Sequence, residues 1–187
     1  MPLSFRLATL EEIPALNALI HASADVLSRG FYSPEEIDAA NRYVFGVDTT
    51  LVEDGTYFVG EEDGTLVACG GWSRRGALYG GDQRRMAAAP ILDPAADPAR
   101  IRAFFVHPDW ARRGIGRRLL DLCSNAAQAE GYRSLELMAT LPGVPLYAAC
   151  GFVEIEPVAD RMPNGVEVRF IRMRRALAVP GSVNHAQ

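Results

Sequence analysis

The chain has 187 residues, of which 49% are hydrophobic and 22% charged, with a formal net charge of −4. This is the composition of one folded domain with a sizeable core, neither a disordered chain nor a bulk nucleic-acid binder. All 19 basic residues are arginine, which excludes a Schiff-base lysine and a P-loop lysine.

Leu3 to Ala8 reads as a short opening strand. Thr9-Leu-Glu-Glu12 is a capping-box sequence, and Ile13, Leu16, Leu19 and Ile20 follow at helical spacing, predicting a helix to about Leu27 that Gly30 ends. Ser33-Pro-Glu-Glu36 starts a second helix that finishes before Gly46. Thr56 to Val59 and Thr65 to Trp72 are strands joined by a turn with Asp63-Gly64 at its centre. Residues 74–99 carry repeated glycine and proline and read as a long loop. Arg100 to Val106 is an apolar strand. After a turn, Gly114-Ile-Gly116 opens a helix with Ile115, Leu119, Leu122, Cys123 and Ala126 on one face, and Gly131 stops it. Ser134 to Ala139 is a strand and Pro145 to Cys150 a short helix. Phe152 to Glu156 and Val166 to Met173 are strands joined around Pro163-Asn-Gly165. The segment from Ala178 reads as a frayed tail. The order predicts one mixed α/β domain over residues 1–177, with 178–187 as a tail and no second domain or internal repeat.

Cysteines 69, 123 and 150 form no pair at metal-binding spacing, and His21, His107 and His185 are scattered. No metal site and no disulfide framework is expected, and a reducing cytoplasm is the simplest compartment. The N-terminus has no signal-peptide pattern, and no apolar run is long enough to span a membrane. The all-arginine composition looks like GC-rich, bacterial codon usage.

The unit from 100 to 129 is the most informative. Helix N-termini carry unpaired N–H groups and partial positive charge, which suit a pyrophosphate. Glycines 114 and 116 leave space for it, and Arg112, Arg113, Arg117 and Arg118 reverse the sign of an acidic protein locally. The pattern fits neither a dinucleotide fingerprint nor a Walker loop. Taken alone, it reads equally as a tight turn beside a solvated arginine face.

Val106-His-Pro-Asp-Trp-Ala-Arg-Arg-Gly-Ile-Gly116 resembles the central motif of the GNAT superfamily of N-acetyltransferases, a strand ending in Val-x-Pro followed by Gln/Arg-x-x-Gly-x-Gly/Ala. Leu141-Pro-Gly-Val-Pro-Leu-Tyr-Ala-Ala-Cys-Gly-Phe152 resembles its late segment, Tyr-x-x-x-Gly-Phe. The resemblance implies a single-domain fold with a mixed sheet of about seven strands and about four helices. It also implies an acyltransferase that moves an acetyl group from acetyl-CoA to an amine by direct attack in a ternary complex. The cofactor would be held by Phe104, Val106, Arg112, Arg113, Gly114, Ile115, Gly116 and Arg117. The Val106 N–H would face the developing oxyanion, and Tyr147 would donate a proton to the leaving thiolate. Two positions depart from the family pattern: Ala111 stands where Gln or Arg opens the phosphate signature, and Pro142 where an asparagine often holds the pantetheine arm. The acceptor is a small-molecule or peptide amine, with no role for nucleic acid or membrane and with a homodimer left open. Phe31, Tyr32 and Trp72 are candidates for the acceptor wall, together with Tyr43 and the 74–99 loop, whose Arg74, Arg75, Arg84 and Arg85 lie among aspartates. Glu136 is read as a carboxylate facing the cleft or pairing an arginine, so the general base stays unassigned. The alternative is a non-catalytic acyl-CoA-binding sensor or regulator of the same fold.

Overall fold

The computed structural model describes residues 2–84 and 89–178. Arg85 and the tail beyond Ala178 lie outside the described residues. Seven strands form one sheet in the order β1-β2-β3-β4-β5-β7-β6. The strands are β1 (Ser4–Leu7), β2 (Tyr57–Glu62), β3 (Thr65–Ser73), β4 (Ala99–Val106), β5 (Ser134–Thr140), β6 (Val153–Arg161) and β7 (Glu167–Ala176). Every neighbouring pair is antiparallel except β4 with β5.

The helices are α1 (Ile13–Leu27), α2 (Pro34–Tyr43), α3 (Thr49–Glu53), α4 (Ile115–Ala129) and α5 (Val144–Ala149). Ser33 caps α2 by accepting from the Glu36 N–H, and the Glu36 carboxylate accepts from the Ser33 N–H at 2.7 Å. Asp63 and Gly64 both have positive φ, the two-residue geometry whose twist matches a hairpin. The short helix α3 is an addition to the sequence reading. Asp48 caps it, its carboxylate accepting from the Thr50 N–H, in a stretch too brief to show a 3.6-residue period. β6 and β7 run further than their apolar residues indicate. β6 is an edge strand exposed along most of its length, so burial leaves little hydrophobic signal there; Pro157 sits at mid-strand, where an edge tolerates it.

Two apolar layers enclose the sheet. Leu16, Leu19 and Ile20 of α1 and Ile37 and Ala40 of α2 pack on one face with Val59 and Phe170. Ile115, Leu119, Leu120 and Cys123 of α4 pack on the other with Ile101, Leu135 and Leu137. Among the described residues no helix is long and apolar enough to cross a membrane, and no cluster of His, Cys, Asp and Glu is placed to hold a metal.

β4 and β5 pair only at Ala99 with Leu135 and Arg100 with Glu136. Beyond those rungs the strands separate, while β4 stays bonded to β3 and β5 to β7. A β-bulge shapes the separation: the β3–β4 register shifts between Cys69 and Gly71, and Ala103 has φ +50°. The Tyr57 hydroxyl donates to the Ala103 carbonyl at 2.9 Å and holds the bulge from below. Gly70 lies beneath the Phe104 ring, where an added Cβ would come within 2.4 Å of a ring carbon. Gly70→Ala must therefore displace Phe104 or open the bulge. Urea unfolding is expected to show a loss of about 1–3 kcal/mol, with a substantial part recovered when Phe104→Leu is added to make room.

Candidate active site

The separated strands form a cleft between Ile101–Phe105 of β4 and Leu137–Thr140 of β5, with Tyr147 at its α5 side. The His107 N–H donates to the Val67 carbonyl of β3 at 2.8 Å. Strand alternation therefore turns the N–H and C=O of Val106, and of Phe104 two residues earlier, toward the open side. An extended polar chain can pair there as an added strand does.

From Val106 the chain passes through a short turn to the start of α4. The backbone N–H groups of Arg112, Arg113, Gly114, Ile115, Gly116 and Arg117 donate to no acceptor among the described residues. Arg112 has φ +66° and Gly114 φ +77°, so successive N–H groups converge in a concave nest at the N-terminus of a 15-residue helix. Arg112, Arg113, Arg117 and Arg118 are exposed around it. The turn is braced: Trp110 Nε1 donates to Glu62 at 2.5 Å, and His107 Nδ1 accepts from the Asp109 N–H at 3.2 Å. His107 is thus a turn residue. Ala111 needs no polar side chain here, because the nest is made of backbone.

The two glycines have different tasks. Gly114 faces open space and serves its left-handed backbone. Gly116 is buried, and a Cβ there would meet the Leu146 side chain at 3.0 Å. Gly116 therefore also lets α4 approach α5 at the Leu146 side chain.

Tyr147 is buried and lines the cleft. Its ring packs edge-on to Phe152 at 5.7 Å, and its hydroxyl has no hydrogen-bond partner among the described residues. Burial, reinforced by Cys123 and Cys150, pushes this phenol well above its ordinary pKa, so it stays protonated. Cys69 and Cys123 are buried, and burial raises both thiols, that of Cys69 to about 12. Neither is a ready thiolate.

The three candidates for the acceptor wall do not come together. Phe31 is 47% exposed on the α1–α2 turn. Trp72 is buried on the α4 face, against Tyr132. Tyr32 is buried beside the cleft, and its hydroxyl is fully occupied: it donates to the Arg169 carbonyl at 2.5 Å and accepts from the Leu141 N–H at 2.9 Å. The last direct β5–β7 pair is Thr140 with Phe170, so the hydroxyl stands where the Leu141–Arg169 rung would follow. It ends β5 there and starts the turn carrying Pro142 and Tyr147. Burial pushes this phenol up to about 12. The residues that do face the cleft from the other layers are Phe45, Tyr79, Met138 and Phe170, with Arg102 as the charged group among the described lining residues. Tyr79 belongs to the 74–99 loop already named as a candidate, whereas Phe45 is missed by sequence reasoning because it sits in a loop without periodicity.

These observations meet a family match. The acetyltransferase (GNAT) family model matches residues 20–152. The chain belongs to this family. No curated protein matches its sequence, but solved structures match its fold. A GCN5-related N-acetyltransferase from Rhodopseudomonas palustris is similar over 95% of this chain and 97% of its own, with TM-score 0.70 and 20% identity. The PaiA N-acetyltransferase of Thermoplasma acidophilum, solved with coenzyme A, is similar over 95% of this chain and 100% of its own, with TM-score 0.64 and 14% identity. The ribosomal-protein-S18-alanine N-acetyltransferase of Escherichia coli covers 99% and 100%, with TM-score 0.58 and 18% identity. At these identities the likeness is one of fold.

Glu136 is a structural ion, not a cleft base. It is buried below the fork and accepts from Arg100 at 2.7 Å and from Arg174 at 2.6 Å, with Arg172 at 3.2 Å. Burial alone would raise its pKa, but the Arg174 hydrogen bonds and the charges of Arg100, Arg172 and Arg174 outweigh it and hold the carboxyl below its ordinary value. With a depressed folded pKa, its contribution is present above the ordinary carboxylate range and is lost as pH falls through the lowered value. Glu136→Gln is expected to lower the melting temperature at neutral pH and to flatten its fall on acidification. An unchanged acid limb, followed by calorimetry from neutral to acidic pH, would assign that limb to other carboxylates.

Proposed function

We propose that the protein is an N-acetyltransferase that moves the acetyl group of acetyl-CoA to an amine by direct attack in a ternary complex. The observation that carries this reading is the open β4 edge followed directly in the chain by a turn whose six N–H groups, Arg112 to Arg117, have no acceptor among the described residues. An elongated molecule with peptide-like amides at one end and a pyrophosphate at the other fits that combination. The amides would pair with Phe104 and Val106, and the pyrophosphate would take the N–H groups of Arg112 to Arg117. Arg112, Arg113 and Arg117 add formal charge, and Gly114 supplies the turn.

In the reaction the neutral amine nitrogen bonds to the thioester carbon and the carbon–sulfur bond breaks. The departing thiolate takes the Tyr147 proton, the acylated nitrogen releases its own to water, and water returns a proton to the Tyr147 phenolate. The oxyanion faces the Val106 N–H. Because no carboxylate lines the cleft among the described residues, the acceptor enters already neutral. Its pKa then sets the acidic limb of the rate profile.

Calorimetric titration with CoA and thiol release across an amine panel test the two halves of this proposal. CoA binding with heat but no thiol release from any amine would favour the sensor reading, and no binding would remove the phosphate site. Tyr147→Phe is expected to lower turnover by about 10²–10⁴-fold while leaving acetyl-CoA affinity nearly unchanged, since the phenol proton matters as the thiolate leaves. Wild-type turnover in a single-turnover measurement would leave water as the proton donor.

A further inference from the structure

A second cavity, of about 620 Å³, opens under the loop that follows β3. It adjoins the cleft along Leu78, Tyr79, Gly80 and Arg102, which line both. Its volume is that of a small-molecule site.

The charge of its lining is one-sided. Among the described residues, Arg75, Arg84 and Arg102 line it against one carboxylate, Asp48. The carboxylates that pair with Arg75 and Arg84 are Asp54, at 2.7 Å, and Asp160, at 2.5 Å; both stand outside the lining. The ion pairs thus present guanidinium to the cavity and hold carboxylate behind it. Arg75 engages Asp54 through Nε and Nη2, which leaves Nη1 unused among the described residues. Arg102 is 3% exposed and is fixed by the Ala77 and Gly80 carbonyls and by Asp48. Along the loop, the N–H groups of Ala77, Leu78, Tyr79 and Gly80 donate to no acceptor among the described residues. The residues lining this cavity thus include guanidinium side chains and residues whose backbone N–H groups have no acceptor among the described residues.

We infer that this cavity holds the oxyanion end of the acceptor, so that the substrate is an amine that also carries a carboxylate or phosphonate-type group. The inference rests on the acetyl-transfer reading for the amine end. A guanidinium fork matches a planar carboxylate. A polyamine would instead bring its distal ammonium to a lining whose carboxylate among the described residues, Asp48, is already held by Arg102, so its charge is not matched there. The acceptor would lie across the shared boundary, its amine at the cleft and its anionic end toward Arg75.

The test is thiol release from acetyl-CoA with matched sets: amino acids, their C-terminal amides, aminoalkyl phosphonates, and spermidine. Amidation lowers the basicity of the neighbouring amine and so increases its neutral fraction, which by itself favours the amide. A preference for the acid must then come from binding. The best oxyanion-bearing amine is expected to exceed its own amide by about tenfold or more in kcat/KM, and comparison of the carboxylates with the phosphonates identifies the oxyanion. Arg75→Gln is expected to raise the acceptor KM by about tenfold, with the acetyl-CoA KM and the amide rate held within about twofold; Arg75→Lys recovers part of the loss. Amides or spermidine acylated as fast as the acids, or an Arg75→Gln variant with an unchanged acceptor KM, would overturn the inference. If no amine releases thiol, the acetyl-transfer reading fails. Titration of the same acids into the CoA-saturated protein then decides the cavity alone: heat that Arg75→Gln abolishes supports it, and no heat overturns it.

Discussion

The whole arrangement depends on the loss of pairing between β4 and β5 after Arg100 and Glu136. Two parallel strands in mid-sheet ordinarily continue together, because buried unpaired backbone groups are costly. Here each strand is held from its outer side, β4 by β3 and β5 by β7. The Ala103 bulge, pinned by the Tyr57 hydroxyl, bends β4 away, and the Phe104 ring occupies the space that Gly70 leaves. At the base of the fork, Glu136 ties Arg100 of β4 to Arg174 of β7 across β5. The fork is thus closed by ions at one end and kept open by backbone geometry at the other.

Charge is distributed to match. The chain is acidic overall, with a net charge of −4, yet arginines gather at three places with separate tasks. Those around the α4 turn stand exposed beside unpaired N–H groups. Those at Glu136 are consumed in holding the sheet. Those under the loop after β3 are backed by aspartates and turned inward. Partner and exposure, more than residue type, decide which of these groups can still meet a ligand.

The sequence made the frame legible where local rules act. Ser33 with Glu36, the Asp63-Gly64 turn and the α4 stripe are short-range signals, and the structure contains all three elements. Gly114 and Gly116 marked the right turn, but one motif concealed two functions: Gly114 serves the backbone, while Gly116 lets Leu146 approach, a contact thirty residues away that no spacing reveals. The Ala103 bulge was not legible, since alanine carries no preference for positive φ. Trp72 and Tyr32 are aromatic residues in plausible places for a pocket wall, and only tertiary packing shows one in the far core and the other spending its hydroxyl on two strands. The same holds for Glu136, whose alternation with Leu135 and Leu137 gives its face but not its three arginines.

The Tyr32 hydroxyl has a consequence for the order of assembly. It acts as a single water-like oxygen built into the β5–β7 ladder, supplied by a segment 109 residues upstream of Leu141. Closing so long a loop costs more entropy than forming the local hairpins and helices, which favours its following them. Until the α1–α2 turn docks, β5 has no defined end and the turn bearing Tyr147 has no fixed origin. The cleft is therefore completed by the first quarter of the chain, which makes ligand binding a report on the finished molecule rather than on its central strands alone.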